Sequence, residues 1–500
     1  MNLHDPGPSP SGVPTRYRTT PLLMLLLLAL VPALGLYGLL VWSDREADAH
    51  EVAAQQIPTA PLSPGDPTAA LTTSLLDYRR TPESSATTAS DNLLADAMEQ
   101  LYVFVDPRSC VSVAVDERVV TSWNEDVAVI PASTVKLIVA GTAIEALSGD
   151  YSFTTSVAAP VVVDGVIDGD LFLIGGGDPV LIASDAPIDD ERDRPAVSTS
   201  LDALADQVVA AGITSIRGSV VGDISRYDDE LVNPEWGPGV AFVDAGPVAG
   251  LLVNDGRTVG RSGRQSDPGE AAARELVRLL RDRGVSVANG WDSGITEPGA
   301  EVIASVSSPP LEEIVADMLT RSDNDTAEML VKELGLEVAG EGSTAAGLDV
   351  IDDALGAWGV DVDDVELVDG SGLGATNRLT CATLLDVLAH LRGTPAVAGL
   401  PVAGRTGTLA GDLVGTAVEG RLVAKTGSLT NPPADADPPE VKALAGYLPV
   451  VDDGEVISFS IVLNGPGYVT TDGYVSYWDA LVERLAAYPA SPDPTPFGPR

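Results

Sequence analysis

The first long pattern along the chain is apolar with no polar face. Residues 21–42 are 22 uncharged, mainly aliphatic positions. At about 1.5 Å per residue, a helix of that length crosses a bilayer core. Arg16 and Arg18 precede it, and Asp44, Glu46 and Asp48 follow. The positive-inside bias therefore predicts a cytoplasmic tail (1–20), a single-pass membrane anchor (21–42) and everything beyond it outside the cell. A cleaved signal peptide is the competing reading, but the run exceeds the usual apolar core of one and no small-x-small site follows. Residues 43–90, rich in Ala, Thr, Pro and Ser, read as a flexible linker, and the Pro-rich 491–500 as a loose tail.

From Ser90 onward the pattern becomes that of a folded domain. Ser90 is placed to cap a helix running through Leu93, Leu94, Met98 and Leu101. Cys110–Val115 and Arg118–Ser122 read as paired strands around an Asp-Glu turn, and Pro131–Leu147 as a helix. Strand signals dominate 153–305, with Pro160–Ile167, Asp170–Ile174 and Ile216–Asp223 as the clearest. Helical spacing returns at Leu311–Thr320 and Thr326–Leu334. Gly420–Thr426, Ala443–Leu448 and Val456–Asn464 alternate as strands, and Val475–Ala487 closes as a helix. Strands, then helices, then strands that must return to the first pair predict an α/β fold. Its catalytic domain would comprise 91–152 and 306–490, interrupted by a β-rich inserted domain at 153–305.

Composition narrows the chemistry. With 73 acidic against 29 basic residues, the net charge is −44. A field of that sign repels phosphate and argues against nucleic acid as a partner. An apolar content of 45% fits a globular protein. Cys110 and Cys381 have no metal-ligand spacing; outside the cytoplasm they could pair, but sequence cannot supply the distance. His4 and His50 flank the apolar run, so His390 is alone in the folded part. A zinc site or a Ser-His-Asp triad would rest on that one residue, within the helix-like stretch Leu384–Leu391. A helix histidine is the simpler reading.

Only four lysines occur: Lys136, Lys332, Lys425 and Lys442. Two of them fall in motifs. Ser133-Thr134-Val135-Lys136 is the sole Ser-x-x-Lys of the chain. On a helix, positions i and i+3 share a face, so the amine can take the hydroxyl proton if it is neutral. Lys can serve as a base where Arg cannot. Lys425-Thr426-Gly427-Ser428 ends a strand pattern, whose edge could hold an extended substrate. Gly427 would let the substrate backbone approach. An echo, Arg405-Thr406-Gly407-Thr408, lies upstream, but two further strands follow Lys425 directly. Ser322-Asp323-Asn324 lies in a loop between two helices. Ser90-Asp91-Asn92 and Ser122-Trp123-Asn124 match the same pattern, with structural readings as a helix start and a hairpin. Each motif alone is cheap. All three in this order form the signature of penicillin-recognising serine enzymes.

With these motifs the chain resembles the D-alanyl-D-alanine carboxypeptidase/endopeptidase family of class C, low-molecular-mass penicillin-binding proteins (peptidase family S13). Supporting stretches are Pro131–Ser133, Leu173–Pro179, Gly218–Asp223, Leu251–Gly256, Ser322–Glu328, Asp369–Leu373 and Leu400–Leu409. The resemblance spans about residues 91–485. It implies the penicillin-binding transpeptidase/β-lactamase-like fold, an antiparallel sheet flanked by helices with a helical subdomain. The 189 positions from Ser133 to Ser322 leave room for the insertion this family carries there, here a compact one.

The resemblance also implies roles. Ser133 attacks the penultimate D-alanine carbonyl, Lys136 is the base, Ser322 relays a proton to the leaving D-alanine and Lys425 supplies positive field. Asn324 binds the peptide, while Thr426 and Ser428 hold the terminal carboxylate. Backbone N–H groups of Ser133 and Ser428 form the oxyanion hole. The expected partners are a peptidoglycan stem peptide ending in D-Ala-D-Ala and β-lactams that acylate Ser133, with no metal or cofactor. The acidic, Pro-rich Asn431–Glu440 departs from the family pattern at the rim of the groove. Two rivals remain. A β-lactamase would need a deacylating base, for which Glu366 is the candidate. A non-catalytic sensor or wall-binding module tends to lack a catalytic residue, and here all are present.

Overall fold

The structure, a computed structural model, describes residues 83–187, 194–237, 239–430, 437–451 and 454–490. The apolar run 21–42 lies outside these residues. Among those described, no helix is long and apolar enough to cross a membrane.

Helix α1 (Glu83–Tyr102) leads into the hairpin of β1 (Cys110–Val115) and β2 (Arg118–Trp123). A 3-10 turn, Ala132–Val135, delivers Ser133 to the head of α2 (Lys136–Leu147). The insertion follows: β3 (Thr154–Ala159), β4 (Leu171–Ile174), α3 (Leu201–Ala210), β5 (Val220–Asp223), α4 (Pro268–Asp282), β6 (Trp291–Ser293) and β7 (Glu301–Ser307). Next come α5 (Leu311–Arg321), α6 (Asn324–Leu334), α7 (Thr344–Trp358) and α8 (Cys381–Leu391). The chain closes with β8 (Val423–Leu429), β9 (Val441–Pro449), β10 (Val456–Asn464) and α9 (Val475–Ala486).

The last three strands complete the sheet begun by the first two. Its order is β8-β9-β10-β1-β2, antiparallel throughout, with Val462 of β10 opposite Cys110 of β1. Alternation sorts the two faces. Val111, Val113 and Val115 join Ile457, Phe459 and Ile461 against Met98 and Leu101 of α1 and Trp478, Leu481 and Leu485 of α9. On the opposite face, buried small residues let α8 settle closely: Ser460 Oγ donates to the Cys381 carbonyl at 3.0 Å. Cys110 and Cys381 are joined there as a disulfide, with Cα atoms 5.8 Å apart. Replacing both cysteines by Ala should lower unfolding stability by about 2–4 kcal/mol. An unchanged denaturation midpoint would show that α8 is held by packing alone.

The insertion builds a second sheet, ordered β6-β5-β4-β3-β7. Strands β4, β5 and β6 are parallel, while β3 runs antiparallel to β4 and β7. Parallel neighbours need crossovers, and α3 and α4 lie in these connections. Leu204, Val208, Leu276 and Leu280 cover Val157, Leu171, Leu173 and Val220. The strand signals of 153–305 are therefore real, but these two helices accompany them. The start of α4 is legible in hindsight: Asp267 accepts from the Glu270 N–H at 2.8 Å, and Pro268 occupies the first turn. Pro160–Ile167 divides into Val162–Val163 and Val166–Ile167 around Asp164 and Gly165, both at positive φ. Ile216–Asp223 is likewise interrupted, at Arg217–Ser219. Ser90 is not a helix cap. It is buried within α1, where its Oγ donates to the Ala490 carbonyl at 3.1 Å.

An arm of the insertion is pinned to α6. Fully buried Glu333 accepts from Arg226 Nε at 2.9 Å and from the Tyr227 hydroxyl at 2.8 Å. Lys332 pairs with Asp228 at 2.5 Å and donates to the Glu230 carbonyl at 2.6 Å. The arm then continues past the Ser322 loop.

Candidate active site

Ser133 sits on the 3-10 turn, one residue after Ala132, whose φ is 49°. That left-handed geometry brings the turn against the Asp369–Gly372 loop. A Cβ on Gly372 would lie 2.0 Å from the Ala132 carbonyl oxygen, so only glycine fits. Lys136 is fully buried, one helical turn from Ser133, with Nζ 2.9 Å from Ser133 Oγ.

The other partners of this amine are Asn324 Oδ1 at 2.8 Å and the Ser371 carbonyl at 2.6 Å. Both of these can only accept. A neutral amine has two N–H groups for them and one lone pair left, directed at the only neighbour able to donate, the Ser133 hydroxyl. Burial lowers the Lys136 pKa to about 8, against opposing pulls from Asp369 and Glu328.

Both acceptors are themselves held. Asn324 Nδ2 donates to the Asp244 carbonyl at 2.9 Å, which turns Oδ1 toward Lys136. Glu328 Oε1 accepts from the Gly370 and Ser371 N–H groups at 3.1 and 2.7 Å, fixing the Ser371 peptide. Burial, with Asp369 nearby, raises the Glu328 pKa to about 8. Asp369 accepts from the Gly372 and Gly374 N–H groups, from Asn377 and from Trp236 of the insertion.

Ser322 ends α5 in a left-handed conformation, φ 63°, and Asp323 caps α6 by accepting from the Thr326 N–H at 2.7 Å. The tight corner turns the Ser322 hydroxyl toward β8. There Lys425 Nζ donates to Ser322 Oγ at 2.7 Å and to the Thr426 carbonyl at 2.8 Å. Burial holds Lys425 well below the ordinary lysine range, and the charges of Lys136 and Lys442 add to the effect.

Strand β8 is an edge of its sheet; its start is already bonded to residues 401–403, and beyond Ala424 the edge can take an extended chain. Thr426 and Ser428 line a cleft of about 930 Å³ together with Ser133, Ser322, Asn324 and residues of the insertion arm. Gly427 differs from expectation. Its absent side chain would meet Ala132 Cβ and the Pro131 carbonyl at 3.0 Å, so it lets β8 close on the Ser133 turn and does not line the cleft.

The eight residues singled out by motif thus converge, and further ones join them. Thr408, from the echo motif, lies in a 3-10 turn and hydrogen-bonds Thr426 between hydroxyls at 2.6 Å. Lys442 Nζ donates to Ser428 Oγ at 3.0 Å. The echo itself and the scarcity of lysine were the available signals for these two. His390 stacks on Trp358 and contacts Glu145 on α2, outside the cleft lining. Exposed Glu366 pairs through its backbone with Arg378, also outside that lining, so Glu366 is not placed as a deacylating base.

The chain matches the family described as D-Ala-D-Ala carboxypeptidase 3 (S13) over residues 107–273 and 244–488. It is 32% identical over 444 residues to the D-alanyl-D-alanine carboxypeptidase of Actinomadura sp., covering 72% of this chain and 77% of that protein. It is 33% identical over 355 residues to carboxypeptidase DacB of Mycolicibacterium smegmatis, covering 67% and 72%. Its fold is similar to penicillin binding protein 4 of Haemophilus influenzae, with a TM-score of 0.64 at 20% identity over 78% of this chain and 99% of that one. The motif order, the convergent site and these matches together establish that the chain belongs to the S13 family of D-alanyl-D-alanine carboxypeptidases.

Proposed function

We propose that this protein is a serine D-alanyl-D-alanine carboxypeptidase that trims peptidoglycan stem peptides through an acyl-enzyme on Ser133. The observation that carries the reading is the Lys136 amine, buried, held by two acceptors and facing the Ser133 hydroxyl. Ser133 Oγ bonds to the carbonyl carbon of the penultimate D-alanine while its proton passes to Lys136. The tetrahedral intermediate collapses with cleavage of the C–N bond, and the proton taken up by Lys136 passes to the leaving amine of the terminal D-alanine through the Ser322 hydroxyl, which Lys425 orients. Water then cleaves the ester and restores Ser133. Backbone N–H groups of Ser133 and Ser428 serve as oxyanion donors, worth about 3–4 kcal/mol each. A β-lactam carbonyl would acylate the same oxygen. Endopeptidase cleavage of a cross-link would use the same groups.

Residues 21–42 serve, in this reading, as an uncleaved anchor that holds catalytic segments 91–152 and 306–490, with the insert 153–305, at the outer membrane face. Full-length protein in membranes should release D-alanine from an N-acylated peptide ending in D-Ala-D-Ala. The activity should sediment with the membrane fraction and be blocked by prior penicillin. Absence of both D-alanine release and covalent penicillin labelling would sink the enzyme reading and leave a binding module.

A further inference from the structure

Of the four lysines, two serve the nucleophile and the proton relay, and Lys332 is committed to Asp228. Lys442 is the remaining one, and it reaches the same cleft. On β9 it lies directly opposite Ser428, so both side chains leave the same face of the sheet. Its ammonium is 4.1 Å from the Tyr474 ring centroid and 5.0 Å from that of Trp478, both contributed by the α9 end of the chain. These rings hold a flexible side chain in one orientation without neutralising it. Burial lowers the Lys442 pKa from the ordinary lysine value, while Asp412 and Asp472 favour its charge from a distance. Asp412 accepts instead from the Tyr474 hydroxyl at 2.9 Å, and among the described residues no carboxylate forms an ion pair with Lys442. The result is a positioned cation beside the hydroxyls of Ser428, Thr426 and Thr408, in a protein whose net charge is −44. An anionic substrate approaching such a surface is repelled, so a local cation with donors around it has a specific use.

We propose that Lys442 is the specificity residue that receives the C-terminal carboxylate of the substrate, with Ser428 and Thr426 completing the receptor. This rests on the carboxypeptidase reading. Lys425 cannot take that part, because its amine is buried and spent on Ser322 and the Thr426 carbonyl. Lys442 therefore acts in binding and in discrimination between a free and a blocked C-terminus. A cross-link whose adjoining carboxylate is amidated should be a poor substrate for the same reason.

The test compares an N-acylated peptide ending in D-Ala-D-Ala with its C-terminal amide, using full-length wild type, Lys442→Met and Lys442→Arg. Wild type should prefer the acid over the amide. In Lys442→Met the acid should lose about ten- to hundredfold in kcat/KM, mainly through KM, and the acid-to-amide preference should collapse toward one. Lys442→Arg should recover most of that preference. A purely structural role would lower both substrates together and leave their ratio intact, which would overturn the assignment. Wild type inactive on both substrates would overturn the carboxypeptidase reading and this assignment with it. If Lys442→Met does not fold, Tyr474→Leu removes the aromatic rest under the ammonium and should reduce the same ratio; an unchanged ratio there counts against the proposal.

Discussion

Ser133→Ala should leave a folded protein that no longer labels with fluorescent penicillin and releases D-alanine at least about four orders of magnitude more slowly. The size follows from losing the atom that forms the covalent bond. Nucleophile knockouts in serine hydrolases cost factors of that order or more, with oxyanion and binding contributions left behind. Folding should survive because Ser133 is only partly buried and its hydroxyl, among the described residues, bonds to Lys136 alone, whereas Ala132 and Val135 beside it carry the packing. Labelling of wild type but not of the mutant assigns the nucleophile. A mutant that still labels would move the chemistry to another hydroxyl in the cleft, Ser322 first.

The second large effect concerns pH. Lys136 must be neutral to accept the Ser133 proton, and burial sets its pKa at about 8. Because the lowered value belongs to a cationic acid, the active form accumulates as pH rises. Acylation should climb about tenfold per unit up to pH 8 and level off above it. At pH 6 the rate should be about a hundredfold below the plateau. Lys136→Arg keeps the charge and removes the base at every pH, so the loss should reach about a thousandfold and should not be recovered at high pH. A flat profile between pH 6 and 9, or an active Arg variant, would show that a different group takes the proton.

The two experiments separate the partners of one hydrogen bond, and the surroundings explain why both should give clear results. Lys136 is fully buried. Its neighbours are the Asn324 amide and the Ser371 peptide, each fixed by a further bond, to Asp244 and to Glu328. Removing the amine leaves those acceptors without a donor, and replacing it by a permanent cation leaves the hydroxyl without an acceptor.

Residue identity and near-neighbour spacing were enough to single out residues that the fold brings together at the cleft. A serine and a lysine three positions apart meet on any helical turn, and here they do so although the turn is 3-10 at Ser133 and α-helical only from Lys136. Strands β9 and β10 were equally legible, since alternation marks a sheet that is covered on both faces by different elements. The inserted helices were less so, because α3 and α4 are placed by the crossovers that parallel strands require, and pairing direction is not written in local alternation. Ser90 misled for a related reason: a serine that looks like a helix start was instead buried by contact with a residue 400 positions away.

What lay beyond sequence reading is everything that depends on distant segments meeting. Thr408, Lys442, Glu328 and the Asp244 carbonyl reach the site from four separate parts of the chain, and no local spacing connects them. Gly427 shows the same division within a single motif. Its identity was visible, but its reason was the Ala132 turn packed against it, a neighbour nearly 300 positions earlier. Covalent chemistry restricts which residues can react, and that restriction survives in one dimension. Burial, pKa and substrate discrimination depend on what surrounds those residues, and only the folded chain brings the surroundings together.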